Sequence, residues 1–295
     1  MALLKDIWRV GVIRTQVADL TAEALANAAT IWLPNPGPLR FLADPFGLWR
    51  DGRLHLFAET YDYRDRVGAI DLFVLDAKLR VLEQRPALRE PWHLSYPYVF
   101  EADGETWMLP EAFRSGRLTL YRAQRFPDRW TPETTIALDH VPIDATPVFH
   151  DGLWWLFYTP AGSRLDKVAA LHAAWAERLT GPWTPHPLNP VRYDPASARP
   201  GGTPFVSDGD LILPVQDCSR TYGGGLRRLR ITTLTPDRFE ATAEPALVPP
   251  PAWRPYVDGL HTLAAAGDVT LIDAKHRQVS PQSLLIDARR LFRKR

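Results

Sequence analysis

The chain has 295 residues, 45% hydrophobic and 23% charged, a balance ordinary for a soluble globular chain with a sizeable core, which excludes disorder or a fibre. Its 35 Lys plus Arg against 34 Asp plus Glu leave a net charge of +1, without the basic excess of a nucleic-acid binder. One cysteine, Cys218, excludes an internal disulfide and a cysteine-based zinc cluster, while 28 Pro and 11 Trp favour short strands and turns over long helices.

The opening MALLKDIWRVGVIRTQ lacks a signal-peptide core, and no later run approaches the ~20 apolar residues of a membrane span, so a cytoplasmic protein is expected. Residues 8–14 read as a strand that pairs with the last repeat and closes a ring. Residues 20–33, LTAEALANAATIWL, read as one short helix. Five related segments follow: LADPFGLWRDGRLHLFAET, SYPYVFEADGETWMLPEA, DATPVFHDGLWWLFYTPA, GGTPFVSDGDLILPVQDC and DGLHTLAAAGDVTLIDAK. Each has a small or polar entry, a Pro (Thr in the last), an apolar run, a DG-like turn and a second apolar run, which is a hairpin signature. Anchored on Pro45, Pro97, Pro147, Pro204 and Thr262, the spacings are 52, 50, 57 and 58 residues, room for four strands per unit. Residues 69–76, 117–124, 168–176 and 226–234 read as outer strands. The predicted fold is all-β: a five-bladed β-propeller with four-stranded antiparallel blades, one domain over 1–295, with blade starts near 42, 95, 144, 201 and 258. Residues 281–295 carry five basic residues among the last seven and read either as a solvated end or as an attachment to a membrane surface.

In a propeller the entries of the innermost strands converge on the channel mouth. The polar residues there are Asp44, His93, Tyr96, Asp144, Arg199, Asp258 and His261. A second series ends the second strands: Glu59, Glu111, Thr159, Gln216 with Asp217, and Asp273. Carboxylates drawn to one axis raise one another's pKa, the arrangement that acid–base work at an acetal centre requires. Glu59 is a weaker candidate than Glu111, because it could cap a strand or pair with a loop arginine. Asp51–Gly52, Asp103–Gly104, Asp151–Gly152 and Asp208–Gly209 read simply as hairpin turns. Trp92, Tyr96 and Tyr222 lie at loop-like positions suited to stacking on a sugar; most other aromatics read as blade filler. Arg114, Arg199, Arg220 and Arg254 fall in connecting segments and would favour a phosphate or carboxylate on the ligand. Cys218 reads as an inert thiol, and the Gly223–Gly225 run lacks the residues of a phosphate loop. His93, His140, His261 and His276 lack metal-ligand spacing, although blades could bring two together; no metal and no cofactor is expected, beyond an activated sugar donor as substrate.

The blade starts resemble those of five-bladed propeller glycosidases acting on arabinans, xylans and fructans. Asp44 in LADPF is similar to their base or nucleophile, and Asp144 in IDATPVF to the aspartate that tunes pKa and orients substrate. Where their general-acid glutamate enters a later blade, this chain has ARPGGTPF with Arg199, so Glu111 becomes the candidate acid. A closer resemblance is to the N-terminal propeller region of plant glucosamine inositolphosphorylceramide transferases and their stand-alone bacterial relatives. It rests on ADPF at Ala43, WHLSYPYVF at Trp92, MLPE at Met108, LYRAQRFPDRW at Leu120, GPWTPHPLNP at Gly181, GGTPF at Gly201 and QDCSRTYGGG at Gln216. In the plant proteins sugar transfer is assigned to a separate C-terminal domain, so the resemblance implies a propeller tied to glycan or glycolipid synthesis.

The expectation is an enzyme making or breaking a glycosidic bond, with transfer ahead of hydrolysis. Asp44 would be base or nucleophile, Glu111 acid and Asp144 the orienting carboxylate. Trp92, His93, Tyr96, Arg114, Arg199, Asp217, Arg220, Tyr222, Asp258 and His261 would bind the sugar-containing ligand, Arg199 holding a phosphate or acidic group. The rival is a non-catalytic carbohydrate-recognition propeller serving a partner glycosyltransferase.

Overall fold

The computed structural model describes residues 4–279, and the basic tail lies outside the described residues. Five antiparallel sheets succeed one another along the chain and close into a propeller. Blade 1 comprises Arg40–Arg50, Arg53–Asp62, Gly68–Leu75 and Val81–Leu88; blade 2 comprises Ser95–Ala102, Glu105–Glu111, Leu118–Arg125 and Arg129–Ile136. Blade 3 is built on Pro142–His150, Leu153–Pro160 and Ala170–Ala176. Blade 4 is built on Asp210–Asp217, Gly225–Thr235 and Arg238–Ala243, with Arg199–Pro200 and Phe205–Ser207 as a broken inner strand.

The local chemistry explains the hairpins. Asp51, Asp103, Asp151 and Asp208 have φ of 52°, 53°, 48° and 54°, each followed by a glycine also at positive φ. Two consecutive left-handed residues match the twist of a two-residue hairpin, which Asp-Gly adopts at low cost. Second strands are covered on both faces by neighbouring blades, so their apolar runs are continuous: Leu56, Phe57 and Ala58 are all fully buried. No helix among the described residues is long and apolar enough to cross a membrane.

Blade 5 consists of Leu263–Ala266, Val269–Gln278, the N-terminal strand Lys5–Ile13 and Thr30–Trp32. Lys5–Ile13 pairs with Val269–Gln278 over nine residues, from Lys5 opposite Gln278 to Ile13 opposite Thr270. The helix expected over 20–33 is shorter: only Ala22–Asn27 is helical, capped by the Thr21 hydroxyl accepting from Ala24 N at 3.1 Å. Thr30–Trp32 is instead a strand, because the free edge of Gly11–Ile13 recruits its β-branched Thr30 and Ile31.

Three inner strands carry the same bulge. Asp44–Pro45 lie opposite Ala58, Tyr96–Pro97 opposite Pro110, and Asp144–Ala145 opposite Tyr158. The first residue of each bulge has positive φ, 50° at Asp44, 45° at Tyr96 and 49° at Asp144. The structural counterpart of Pro45 in blade 3 is therefore Ala145; the anchor on Pro147 was two residues out of register. Between blades 4 and 5 the inner strands nearly touch at Gly202, where a Cβ would stand 1.9 Å from the Leu263 carbonyl oxygen, so only glycine fits.

Candidate active site

A cavity of about 320 Å³ opens at the channel mouth. Asp44, Glu59, Glu111 and Asp144 line it, together with Arg199, Lys167, His93, His261 and the aromatic residues Trp8, Phe41, Tyr61, Tyr63, Phe113 and Tyr222. The bulges and second strands present these side chains inward. Glu59, Glu111, Thr159 and Gln216 stand directly opposite the inner-strand residues Ala43, Ser95, Ile143 and Arg199.

Asp44 is held by four groups from other blades. Its Oδ2 accepts from Tyr96 N at 3.2 Å, and its Oδ1 accepts from Thr262 Oγ1 at 3.1 Å and faces His261 Nε2 at 3.6 Å. Its own backbone N donates to Asp273 Oδ2 at 2.9 Å. Burial pushes the Asp44 carboxyl up to about 6, with Asp273 and Asp144 adding to the shift and His261 opposing it. Asp273 takes the His261 and Thr262 backbone N–H groups at 3.1 and 3.0 Å, and its Oδ2 receives His261 Nδ1 at 2.7 Å. Burial works against an imidazolium there, but Asp273 and Asp44 outweigh it and raise the His261 pKa.

On the other side of the cavity, Asp144 Oδ2 accepts from Arg199 Nε at 2.7 Å and Gln216 Nε2 at 2.9 Å. Glu111 lies against this pair, with Arg199 Nη2 4.0 Å from its Oε2. Burial first, then the Asp144 charge and a hydrogen bond with Asp144, hold Glu111 well above the usual carboxylate range, against the pull of Arg199. Glu111 is thus biased towards its protonated form beside Asp144. Glu59 is likewise raised by burial and by Asp44 and Glu111. Gly68 N donates to His93 Nδ1 at 2.8 Å, so His93 carries its proton on Nε2, 3.6 Å from Glu59 Oε1. Burial and the Arg114 charge lower His93 to about 4.

Arg199 is committed to the protein rather than to an incoming anion. Beyond Asp144, its Nη1 donates to the Lys167 carbonyl at 2.8 Å and its Nη2 lies 3.4 Å from the Tyr222 hydroxyl. Lys167 Nζ rests over the Phe113 ring at 4.9 Å and forms no ion pair among the described residues. The fully buried Lys275 donates to the Tyr222 carbonyl and sits 3.6 Å from Asp6 Oδ2, holding the segment that carries Tyr222.

Of the residues singled out from sequence, Asp44, His93, Glu111, Asp144, Arg199, Tyr222 and His261 share this cavity. Tyr96 contributes its backbone N–H. Its phenol is buried elsewhere, 2.9 Å from Thr146 Oγ1 and accepting from Gly202 N at 2.8 Å, which ties blades 2, 3 and 4 across the axis. Trp92 packs against the apolar core, and Arg114 is exposed on the short turn Phe113–Ser115. Asp217, Arg220 and Asp258 line a separate cavity of about 550 Å³, where Asp217 pairs with Arg227 at 3.0 Å. Glu59, which heads the second-strand series read from sequence, also lines the cavity, in blade 1 at the place of Glu111 in blade 2, whereas sequence reading missed Trp8, Tyr61, Tyr63 and Lys167, which lie outside the repeated positions.

The family model described as glucosamine inositolphosphorylceramide transferase 1, N-terminal, matches residues 20–250. A glucosamine inositolphosphorylceramide transferase 1 of Oryza sativa subsp. indica is 38% identical over 215 residues, 69% of this chain and 28% of that protein. Its Arabidopsis thaliana namesake is 36% identical over 214 residues, 70% of this chain and 28% of the relative. The chain thus spans about 28% of the length of these relatives. Among solved structures, a family 117 glycoside hydrolase of Zobellia galactanivorans aligns with TM-score 0.55 and 14% identity, covering 95% of this chain and 92% of that one. An α-L-arabinofuranosidase of Podospora anserina aligns with TM-score 0.57 and 11% identity, covering 83% and 93%. At such identities the likeness is one of fold.

Proposed function

The chain belongs to the glucosamine inositolphosphorylceramide transferase 1 N-terminal family, and on that footing we propose that it is a carbohydrate-active propeller that transfers a sugar in glycan or glycolipid synthesis. The observation that carries this reading is a pair of buried carboxyls on one cavity in unequal surroundings: Glu111, held well above the usual carboxylate range by burial and Asp144, and Asp44, pushed up to about 6. Such a pair supplies an acid and a base at the same pH. Glu111 gives its proton to the leaving-group oxygen as the glycosidic bond breaks. Asp44 takes the proton of the attacking acceptor hydroxyl, and both groups reset by exchange with solvent. Asp144, fixed by Arg199 and Gln216, keeps Glu111 oriented.

The relatives' name joins glucosamine to inositolphosphorylceramide, which supports transfer over hydrolysis and a phosphate on the ligand. Lys167 is the cation assigned to that phosphate, since the Arg199 donors are already engaged. Tyr222 offers ring surface to the sugar.

The second reading is a recognition module for a partner glycosyltransferase. It is favoured by the Arg199–Asp144 pair, which neutralises part of the carboxylate set. Product formation followed by mass spectrometry, with nucleotide- and phosphate-activated sugars and aryl glycosides, separates the two. Turnover that disappears in Asp44→Asn and Glu111→Gln supports transfer or hydrolysis. Ligand-induced thermal stabilisation without turnover in all three proteins supports the recognition module.

A further inference from the structure

A second cluster of ligating side chains lies outside the cavity, where blade 2 passes into blade 3. Asp139 and His140 belong to the connection between Arg129–Ile136 and Pro142–His150, and His172 belongs to Ala170–Ala176. One atom from each lies within 4.8 Å of the other two. His172 Nδ1 is 3.6 Å from Asp139 Oδ2, and His140 Nε2 is 3.9 Å from the same oxygen. The other carboxylate oxygen, Oδ1, accepts from the Tyr158 hydroxyl, which aims Oδ2 at the two rings.

His172 is only 6% exposed, and its Nδ1 has no hydrogen-bond partner among the described residues. A 3.6 Å separation is too long for a hydrogen bond to Asp139. An unsatisfied buried ring nitrogen is costly and calls for a partner. Two imidazole nitrogens and one carboxylate oxygen fit one face of a tetrahedron: bonds of ~2.0–2.1 Å to a central ion give edges of ~3.4 Å, close to the spacings present.

We propose that Asp139, His140 and His172 bind one divalent transition-metal ion, with zinc the best match to this donor set and solvent in the open fourth position. Tyr158 is the outer partner that orients the carboxylate, as metal-bound carboxylates require. Asp139 and His140 are exposed, so the ion has a route from solvent. The other group of this kind among the described residues, Asp44, His261 and Asp273, is different: its oxygens already accept from Tyr96, Thr262 and His261. An ion at His172 would tie the 139–140 connection to the strand that follows Asp166–Ala169, the helical turn that carries Lys167 to the cavity.

The test is isothermal titration of the chelator-stripped, untagged chain with zinc chloride, with cobalt substitution read by visible absorption. The expected result is one equivalent bound at micromolar affinity or tighter. His140→Ala, at an exposed position, and His172→Gln should each weaken it at least about tenfold, and Tyr158→Phe by about tenfold. His276→Ala should leave it unchanged. Absence of binding, or binding indifferent to His140→Ala, overturns the assignment; should His172→Gln fail to fold by circular dichroism, His140→Ala decides alone.

Discussion

Trp8 lies flat against His261, with ring centroids 3.7 Å apart and planes 13° from parallel. The strand that closes the propeller therefore also forms a wall of the cavity. It presses on the imidazole that stands between Asp44 and Asp273, and Lys275 Nζ approaches the same indole at 5.2 Å. Trp8→Ala should cost about 3–5 kcal/mol of stability and weaken ligand binding. Trp8→Phe should recover most of the stability. Denaturant unfolding with a ligand titration on each variant checks both outcomes.

Glu111→Gln should leave stability within about 1 kcal/mol of wild type. Burial and the neighbouring Asp144 favour the protonated form of Glu111, and the glutamine amide can still donate to Asp144. What the amide cannot do is surrender a proton, so turnover should fall about 10²–10⁴-fold. Thermal denaturation beside initial rates gives the comparison; a large loss of stability would mean that Glu111 is ionised and paired with Arg199.

Asp44→Asn should alter the pH dependence of stability as well as activity. The Asp44 pKa rises from 3.8 to about 6 on folding, so its ionised form is disfavoured in the native state. Its contribution is most favourable below 3.8 and is lost as pH climbs through about 6, a difference of about 3 kcal/mol before the loss of the His261 counter-charge is subtracted. Asparagine tolerates the left-handed φ and cannot ionise. The variant should gain on wild type between pH 4 and 7, and the wild-type rate profile should show an acid limb near pH 6. Parallel unfolding curves at every pH would refute the buried-charge account.

Tyr96→Phe should destabilise the propeller by about 1–3 kcal/mol, because Gly202 N would lose its buried acceptor. Its backbone N–H to Asp44 would remain, so ligand affinity should change little. Unfolding free energy falling together with affinity would place the phenol in the site.

The fold was legible because its signals are local. Four Asp-Gly pairs and one Gly-Asp pair between short apolar runs mark hairpins, and five hairpins at similar spacing leave few alternatives to a ring. Blade 3 shows the limit of that reading: Pro147 imitates Pro45 in sequence, yet the bulge begins at Asp144 and puts Ala145 in the equivalent place. At residues 30–32, pairing with the edge of Gly11–Ile13 overrode a helical reading. Within the cavity, Asp44, Glu111, Asp144 and Arg199 stand at repeated blade positions, and repetition marks them. Trp8 and Lys167 do not, and only the meeting of blades brings them in. Asp139 and His172 are likewise joined by strand packing, which no spacing along the chain records.

Because Lys5–Ile13 is hydrogen-bonded along its length to Val269–Gln278, tension on either end of the described chain would peel the same sheet first. That sheet holds Trp8, Asp273 and Lys275 and abuts His261. Inactivation on heating should therefore run ahead of the loss of far-ultraviolet sheet signal, with four sheets still assembled around a mouth that has lost one wall. A covalent staple across this seam would lengthen the working life of the site more than an equal gain in stability placed in any other blade.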